Sequence, residues 1–196
     1  MSKSIQLRLP ECTLNYAESL WKAKRISAEG DPKHSCVLAF DAGTDLSELE
    51  AALKQAATDT FGANWPEKGK WPLRKGEEMF PGKPDFAGKM CISSATGEQP
   101  TMVMRQNGKL VEIIDQSKLY SGCRVQAYVG VVGYNKQVNK GVGVYVNGIL
   151  KIADGEHLEG KKTAEAMFGE EGADTVEAEA PTPDADATPA AANPWD

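Results

Sequence analysis

At 196 residues the chain has room for one ordinary domain plus a tail, and an ordered portion of about 165 residues is ample for a hydrophobic core where two full domains would be cramped. The four cysteines, at 12, 36, 91 and 123, include no C-x-x-C pair and the only histidines are His34 and His157, so neither a zinc site nor a disulfide framework is indicated and reduced, buried thiols are expected. The net charge of −6 averages two regions: residues 1–162 hold all 22 Lys and Arg against 19 acids, while the rest holds nine acids and no base, an asymmetry that hints at a nucleic-acid partner although acidic tails also serve solubility.

The opening MSKSIQLRLPECTL has no apolar signal core, and no run approaches the roughly 18 apolar residues of a membrane span, so a soluble, cytoplasmic chain with no membrane partner is expected. Near the end of residues 4–26, SLWKAKRI reads as a strand that sets Trp21 beside Lys22, Lys24 and Arg25. GDPK then makes a turn, and HSCVLAF alternates Val37 and Ala39 with Cys36, Leu38 and Phe40; it is expected to pair with the preceding segment, with one of its faces buried.

The clearest helix runs from about Leu46 to Phe61. Asp45 at the N-cap with Glu48 three residues on resembles a capping box, and Leu46, Leu49, Leu53, Ala56, Ala57 and Phe61 recur at helical spacing before the stop at Gly62. This composition predicts a packing helix over a barrel end or a sheet face. Between Asn64 and Lys89 periodicity disappears, and Trp65, Trp71, Phe80 and Phe86 interleave with Lys68, Lys70, Arg74, Lys75, Lys83 and Lys89. So long a loop is uncommon unless it binds or gates something. Aromatics offer stacking faces to unstacked bases and the cations between them offer phosphate contacts, whereas the plainer role of the aromatics is to pin the loop to the core.

Residues 90–116 predict two further strands, MCISSAT and either MVMRQ or LVEII, joined by GEQP and QNGK turns. Residues 123–152 read as one long β-hairpin. Val125, Ala127, Val129 and Val131 alternate with Arg124, Gln126, Tyr128 and, if the strand runs that far, Tyr134; the return strand puts Val142, Val144 and Val146 inward and Tyr145 and Asn147 outward. The polar turn between them carries Lys136 and Lys140. This wet face is expected to be one wall of a groove whose other wall is the Trp65–Lys89 loop, with Tyr128 and Tyr145 nearly opposite one another if the register allows. TAEAMF predicts a short helix closing the domain near Phe168. Residues 169–196 are acidic and rich in Pro and Ala, a disordered tail by composition, and its tip, Trp195 with Asp196, reads as a docking peptide for a partner with an apolar, basic-rimmed pocket.

The segments LPECTLNYAESLWKAK, KHSCVLAF, PDFAGKMCISSA, YSGCRVQAYV and NKGVGVYVNGI with the following GEHLEGK together resemble the bacteriophage replicative single-stranded DNA-binding proteins of the OB-fold kind, over about residues 5–168. That resemblance implies a five-stranded barrel with added loops and a helix, a basic and aromatic groove for DNA, and a tail that recruits replication proteins such as a polymerase or helicase. The tail departs from the usual pattern, in which a phenylalanine stands near the carboxylate.

The expected fold is therefore mainly β: an OB-fold domain over 1–168 with an acidic tail over 169–196. Phosphates are expected along Lys22, Lys24, Arg25, Lys68, Lys70, Arg74, Lys75, Arg124, Lys136 and Lys140, and Trp21, Trp71, Tyr128, Tyr134 and Tyr145 supply aromatic surface. Single-stranded DNA is the expected partner, with duplex DNA a weaker one. No GxxxxGK[ST] or GxSxG motif is present, and neither histidine has an adjacent acidic or nucleophilic set, so a non-enzymatic chain without metal or cofactor is expected. A metal-dependent nuclease would need several carboxylates to converge in the fold. Two other readings share these features: a virion or scaffold protein whose hairpin face makes protein contacts, and an RNA-binding barrel.

Overall fold

The computed structural model describes residues 4–25, 30–136 and 139–158. The predicted helix near Phe168, the acidic tail from 169 and its tip, Trp195 and Asp196, lie outside the described residues. The strands are β1 (Ile5–Arg8), β2 (Cys12–Asn15), β3 (His34–Phe40), β4 (Leu73–Lys75), β5 (Met90–Thr96), β6 (Thr101–Gln106), β7 (Lys109–Glu112), β8 (Arg124–Lys136) and β9 (Asn139–Ala153). Three helical segments accompany them: α1 (Glu18–Trp21), α2 (Ser47–Phe61) and α3 (Gly76–Met79). No helix among the described residues is long and apolar enough to cross a membrane.

The strand order β4-β5-β3-β2-β8-β9-β6-β7, with β1 also paired to β8, makes the chain mainly β as expected. Five of these strands, β2, β3, β5, β8 and β9, follow the neighbour order of an OB-fold, which is a partly open barrel. The four others are additions. β1 extends the β2 edge along β8, β4 lies on β5, and the β6–β7 hairpin lies beyond β9 with β6 parallel to it.

These additions explain why the ladder does not close. β4 takes the outer edge of β5 at Met90, Cys91 and Ile92, and β6 takes the outer edge of β9 from Gly148 to Lys151. Only Ser93–Thr96 of β5 and the Val142–Asn147 stretch of β9 are left to face each other. There the backbone amide of Val146 donates to Ser94 Oγ at 2.9 Å, a side-chain bond in place of a ladder.

The hairpin alternates as its sequence predicts. Val125, Ala127, Val129 and Val131 are fully buried, and Val142, Val144 and Val146 join them in the main core. The strand does run as far as Tyr134, but a register shift between Tyr128 and Val129 places Tyr128 against Gly148 and Tyr145 against Gly130. The two tyrosines are therefore not cross-strand partners: Tyr145 opposes Gly130, two residues along β8 from Tyr128, and the bulge at Asn147 adds one residue to that offset.

α2 packs onto the core through Leu49, Ala52, Leu53 and Ala56. It approaches β8 so closely that a Cβ on Gly133 would collide with Thr60 Oγ1 and the Ala56 carbonyl. Its start differs from a capping box. The helix begins at Ser47, whose amide donates to Asp45 Oδ1 at 3.0 Å, and no bond from Glu48 answers it among the described residues; this is an Asx turn leading into the helix. That hydrogen bond holds the Asp45 carboxyl below its ordinary range. Gly62 ends the helix, with φ of 60°.

Several segments depart from their sequence pattern. SLWKAKRI is not a strand: Tyr16, at φ 58°, turns the chain after β2 and α1 drives Leu20 into the core, leaving one bridge between Lys24 and Lys33. β3 pairs with β2 instead, Thr13 against Ala39. Both faces of β3 are buried, Cys36, Leu38 and Phe40 in the main core and Val37 and Ala39 under Phe86 in a second cluster. The Asn64–Lys89 stretch holds β4, α3 and a 3-10 turn at Pro84–Phe86, and its two phenylalanines stack at 4.2 Å over that second cluster. MVMRQ and LVEII both form strands, joined through Asn107 and Gly108 in the left-handed region. All four cysteines are free and buried, and burial pushes the Cys36 thiol up to about 12.

Candidate nucleic-acid interface

The open seam of the barrel is a cleft of about 700 Å³. Its floor is Ser93 and Ala95 of β5, one wall is the hairpin with Tyr134, Asn139, Gly143 and Tyr145, and the other is the stretch Gly69–Arg74. The second wall is stitched to the first by backbone: the Lys70 amide donates to the Lys140 carbonyl at 2.9 Å and the Val142 amide donates to the Lys70 carbonyl at 3.0 Å. Glycine is required where the walls meet, since a Cβ on Gly141 would strike the Lys70 carbonyl.

Three aromatics stand in this cleft. Trp71 is half-buried and meets Trp65 edge-on at 5.6 Å, and Trp65 meets Phe61 of α2 edge-on at 5.3 Å, so the loop tryptophan is braced by a chain of rings anchored on the helix. A Cβ on Gly69 would sit 2.6 Å from the Trp65 indole, so the turn before Trp71 also depends on a glycine. Tyr134 and Tyr145 project from the rigid hairpin. Burial, with Tyr145 nearby, pushes the Tyr134 phenol above its ordinary range, so it stays neutral and able to donate near neutral pH.

The cleft lining contains Lys33, Lys70 and Arg74 and no aspartate or glutamate. None of these three cations is in an ion pair among the described residues. Uncompensated cations in a concave, partly apolar wall focus positive potential and favour a polyanion. Lys33, Asn139 and the β5 floor escaped the sequence pattern. Lys33 sits in a turn whose only local signal is Gly-Asp-Pro, and its approach to the hairpin depends on β3 and β5 lying across the seam.

The cleft brings together Lys70, Trp71, Arg74, Tyr134 and Tyr145 of the expected site residues. Lys68 and Lys75 are exposed neighbours on the loop side, and Lys136 and Lys140 are exposed at the hairpin end. Lys24 pairs its backbone with Lys33, and its side chain lies 3.8 Å from Glu18, while Lys22 and Arg25 are exposed beside it. Three expected residues lie elsewhere. Trp21 packs against the main core with its indole N–H toward the Leu119 carbonyl at 3.4 Å and lines a separate cavity with Tyr120 and His157. Arg124 donates to Glu11 and to Asp41, each at 2.8 Å, and to Thr13 Oγ1, so two carboxylates already neutralise it. Tyr128 lines a different concavity with Arg8 and Arg105.

Among the described residues no group of three or more His, Cys, Asp or Glu is placed to hold a metal ion. His34 Nδ1 is 2.8 Å from the Leu20 carbonyl, and His157 stacks on Tyr120 at 3.7 Å.

A family model described as the Enterobacter phage Enc34 ssDNA-binding protein matches residues 6–179. Among solved structures, the single-stranded DNA-binding protein from bacteriophage Enc34 in complex with ssDNA is similar with a TM-score of 0.68 at 19% identity, covering 78% of this chain and 89% of that one. A C-terminal truncation of the same phage protein aligns with a TM-score of 0.66 at 19% identity, over 78% and 88% of the two chains. The gp2.5 single-stranded DNA-binding protein of bacteriophage T7 aligns with a TM-score of 0.53 at 10% identity, over 90% of this chain and all of that one. No curated protein sequence matches significantly.

Proposed function

Since this chain belongs to the family of the Enterobacter phage Enc34 ssDNA-binding protein, we propose that it binds single-stranded DNA in the seam cleft, without catalysis, during phage replication and recombination in the host cytoplasm. The observation that carries this reading is the acid-free cleft itself, which combines Lys33, Lys70 and Arg74 with Trp71, Tyr134 and Tyr145. Bases stack on the rings, and phosphates meet the cations and the rim residues Lys68, Lys75, Lys136 and Lys140. Each stacked base contributes about 1–3 kcal/mol, so two or three stacks outweigh any one rim lysine. A duplex keeps its base faces stacked on one another and can offer only phosphates, which makes it the weaker partner.

The domain spans 1–168 and the tail 169–196 in this reading. The tail competes with DNA for the basic cleft as a tethered polyanion. Once DNA displaces it, Trp195 and Asp196 are free to dock on a replication protein such as a polymerase or helicase.

Titrating oligo(dT) against intrinsic tryptophan fluorescence across salt concentrations tests the core of this reading. Quenching whose affinity falls with salt supports it. Neither quenching nor a mobility shift at about 50 mM salt would favour a structural or scaffold role in its place. Competition by a matched RNA oligonucleotide that equals DNA would reassign the ligand to RNA.

A further inference from the structure

Tyr128 is 48% exposed, a high value for an aromatic in the middle of a central strand. It stands in one row across four strands: Arg8 on β1, Tyr128 on β8, Gly148 on β9 and Thr101 on β6. Gly148 has no side chain to cover the ring on one flank. The concavity there, about 220 Å³, takes its other side from the β6–β7 hairpin, where Arg105 faces Leu110. Neither Arg8 nor Arg105 is in an ion pair among the described residues. Glu112 shares their face one pair further along β7, and Asp45 and Glu48 border Arg8 from the α2 side, yet none of them reaches an arginine within ion-pair distance.

This surface is separate from the seam cleft but continuous with it. Tyr134 and Tyr128 share the outer face of β8 six residues apart, about 20 Å along the strand. The strip between them carries no acid. Gly130 lies under the Ser4 hydroxyl and the Gln6 and Asn147 amides, with Asn147 donating to Gln6 Oε1 at 2.8 Å. An amide-paved, glycine-floored strip offers hydrogen bonds to a passing backbone and no repulsion to its phosphates.

We propose that Tyr128, Arg8 and Arg105 form a second single-stranded nucleic-acid subsite, in which one unpaired base stacks on Tyr128 while the flanking phosphates meet the two arginines. A strand that fills the seam cleft reaches this subsite by running along the outer face of the hairpin. The proposal rests on the reading of the chain as a single-strand binder, and it makes a length-dependent claim which that reading does not.

Affinities of the full-length protein for oligo(dT) of about 5 and about 20 nucleotides test it, the shorter filling the cleft alone. Tyr128→Ala is expected to leave the shorter oligonucleotide within about two-fold and weaken the longer by at least about five-fold, with Tyr128→Phe restoring it. The double variant Arg8→Ala with Arg105→Ala is expected to lower the salt slope for the longer strand by about 1.4. Unchanged affinity and slope for the longer strand overturn the subsite, and so does an equal loss at both lengths, which would put Tyr128 in the first site. If Tyr145→Ala weakens both lengths while Tyr128→Ala weakens neither, the seam reading stands and the subsite falls. Binding of neither length by the parent protein would overturn both.

Discussion

The Val146 amide donates to Ser94 Oγ at 2.9 Å across the seam where β5 and β9 fail to pair. Both residues are buried, at 1% and 2% exposure, so the bond is closed to water and has no substitute. Ser94→Ala leaves the Val146 N–H unsatisfied in the core and is expected to cost about 1–3 kcal/mol. A denaturant midpoint equal to that of the parent chain would show that the seam is held elsewhere, for instance at the Lys70–Gly141 bridge.

Tyr145 and Trp71 are expected to carry base stacking. Tyr145→Ala should weaken oligo(dT) binding by about 1–3 kcal/mol, and Tyr145→Phe, which keeps the ring, should recover most of it. Trp71→Ala should lose binding and also some stability, because the ring is braced against Trp65 and packs on the main core. A Tyr145→Ala protein with parental affinity would remove the hairpin wall from the site.

The cations divide into free and neutralised. Replacing Lys33, Lys70 or Arg74 with glutamine should lower the salt dependence of single-strand binding by about 0.7 each, the increment for one phosphate contact. Arg124→Gln should leave it unchanged, since Glu11 and Asp41 already occupy that guanidinium. A fall in salt slope for Arg124→Gln equal to that for Arg74→Gln would show that DNA displaces the carboxylates.

Asp41 makes stability depend on pH. Burial pushes its carboxyl up, but hydrogen bonding and charge from Arg124, helped by Lys89, outweigh this and hold it below its ordinary 3.8. A depressed folded value means the contribution is complete above about 3.8 and is lost as the pH falls through the lower folded value. Asp41→Asn should therefore destabilise the protein at neutral pH, by about 1 kcal/mol because the carboxylate is half exposed, and the gap to the parent should close as the pH falls below 3.8. Guanidinium melts at several pH values measure it, and a gap that widens on acidification would reverse the assignment.

Removing residues 169–196 should tighten binding to single strands and reduce discrimination against duplex at low salt, if the tail competes for the cleft. Equal affinities of the truncated and intact chains would end the competition model.

Much of this architecture was legible in the chain. The alternation of Val125, Ala127, Val129 and Val131 reports which face of a strand is wet, and the helical spacing from Leu49 to Ala56 reports which face of α2 is dry, because both patterns repeat within a few residues. The joining of the hairpin to the Trp71 loop in one cleft could be anticipated from the density of aromatics and bases alone. SLWKAKRI misled because its alternation is satisfied as well by a helical turn, and burial of Leu20 decides between them. The surroundings of Arg124 and Tyr128 are not legible in the chain, for a longer-range reason. Each sits on the outer face as the alternation says, but what that face meets depends on Glu11 and Asp41 in one case and on β1 and β6 in the other.

The sequence by itself determined strand β3, strands β5 to β7, the β8–β9 hairpin, the packing helix and the separation of charge between body and tail, since these follow from short-range periodicity and composition. The tertiary structure alone decided where the barrel stays open. That depends on β4 and β6 taking the edges of β5 and β9, and on a register that sets Tyr145 opposite Gly130 and Tyr128 opposite Gly148, so that the two rings stand at different points along one outer face of the hairpin. Edge occupancy and register are set by pairings between residues far apart in the chain, so no local pattern records them.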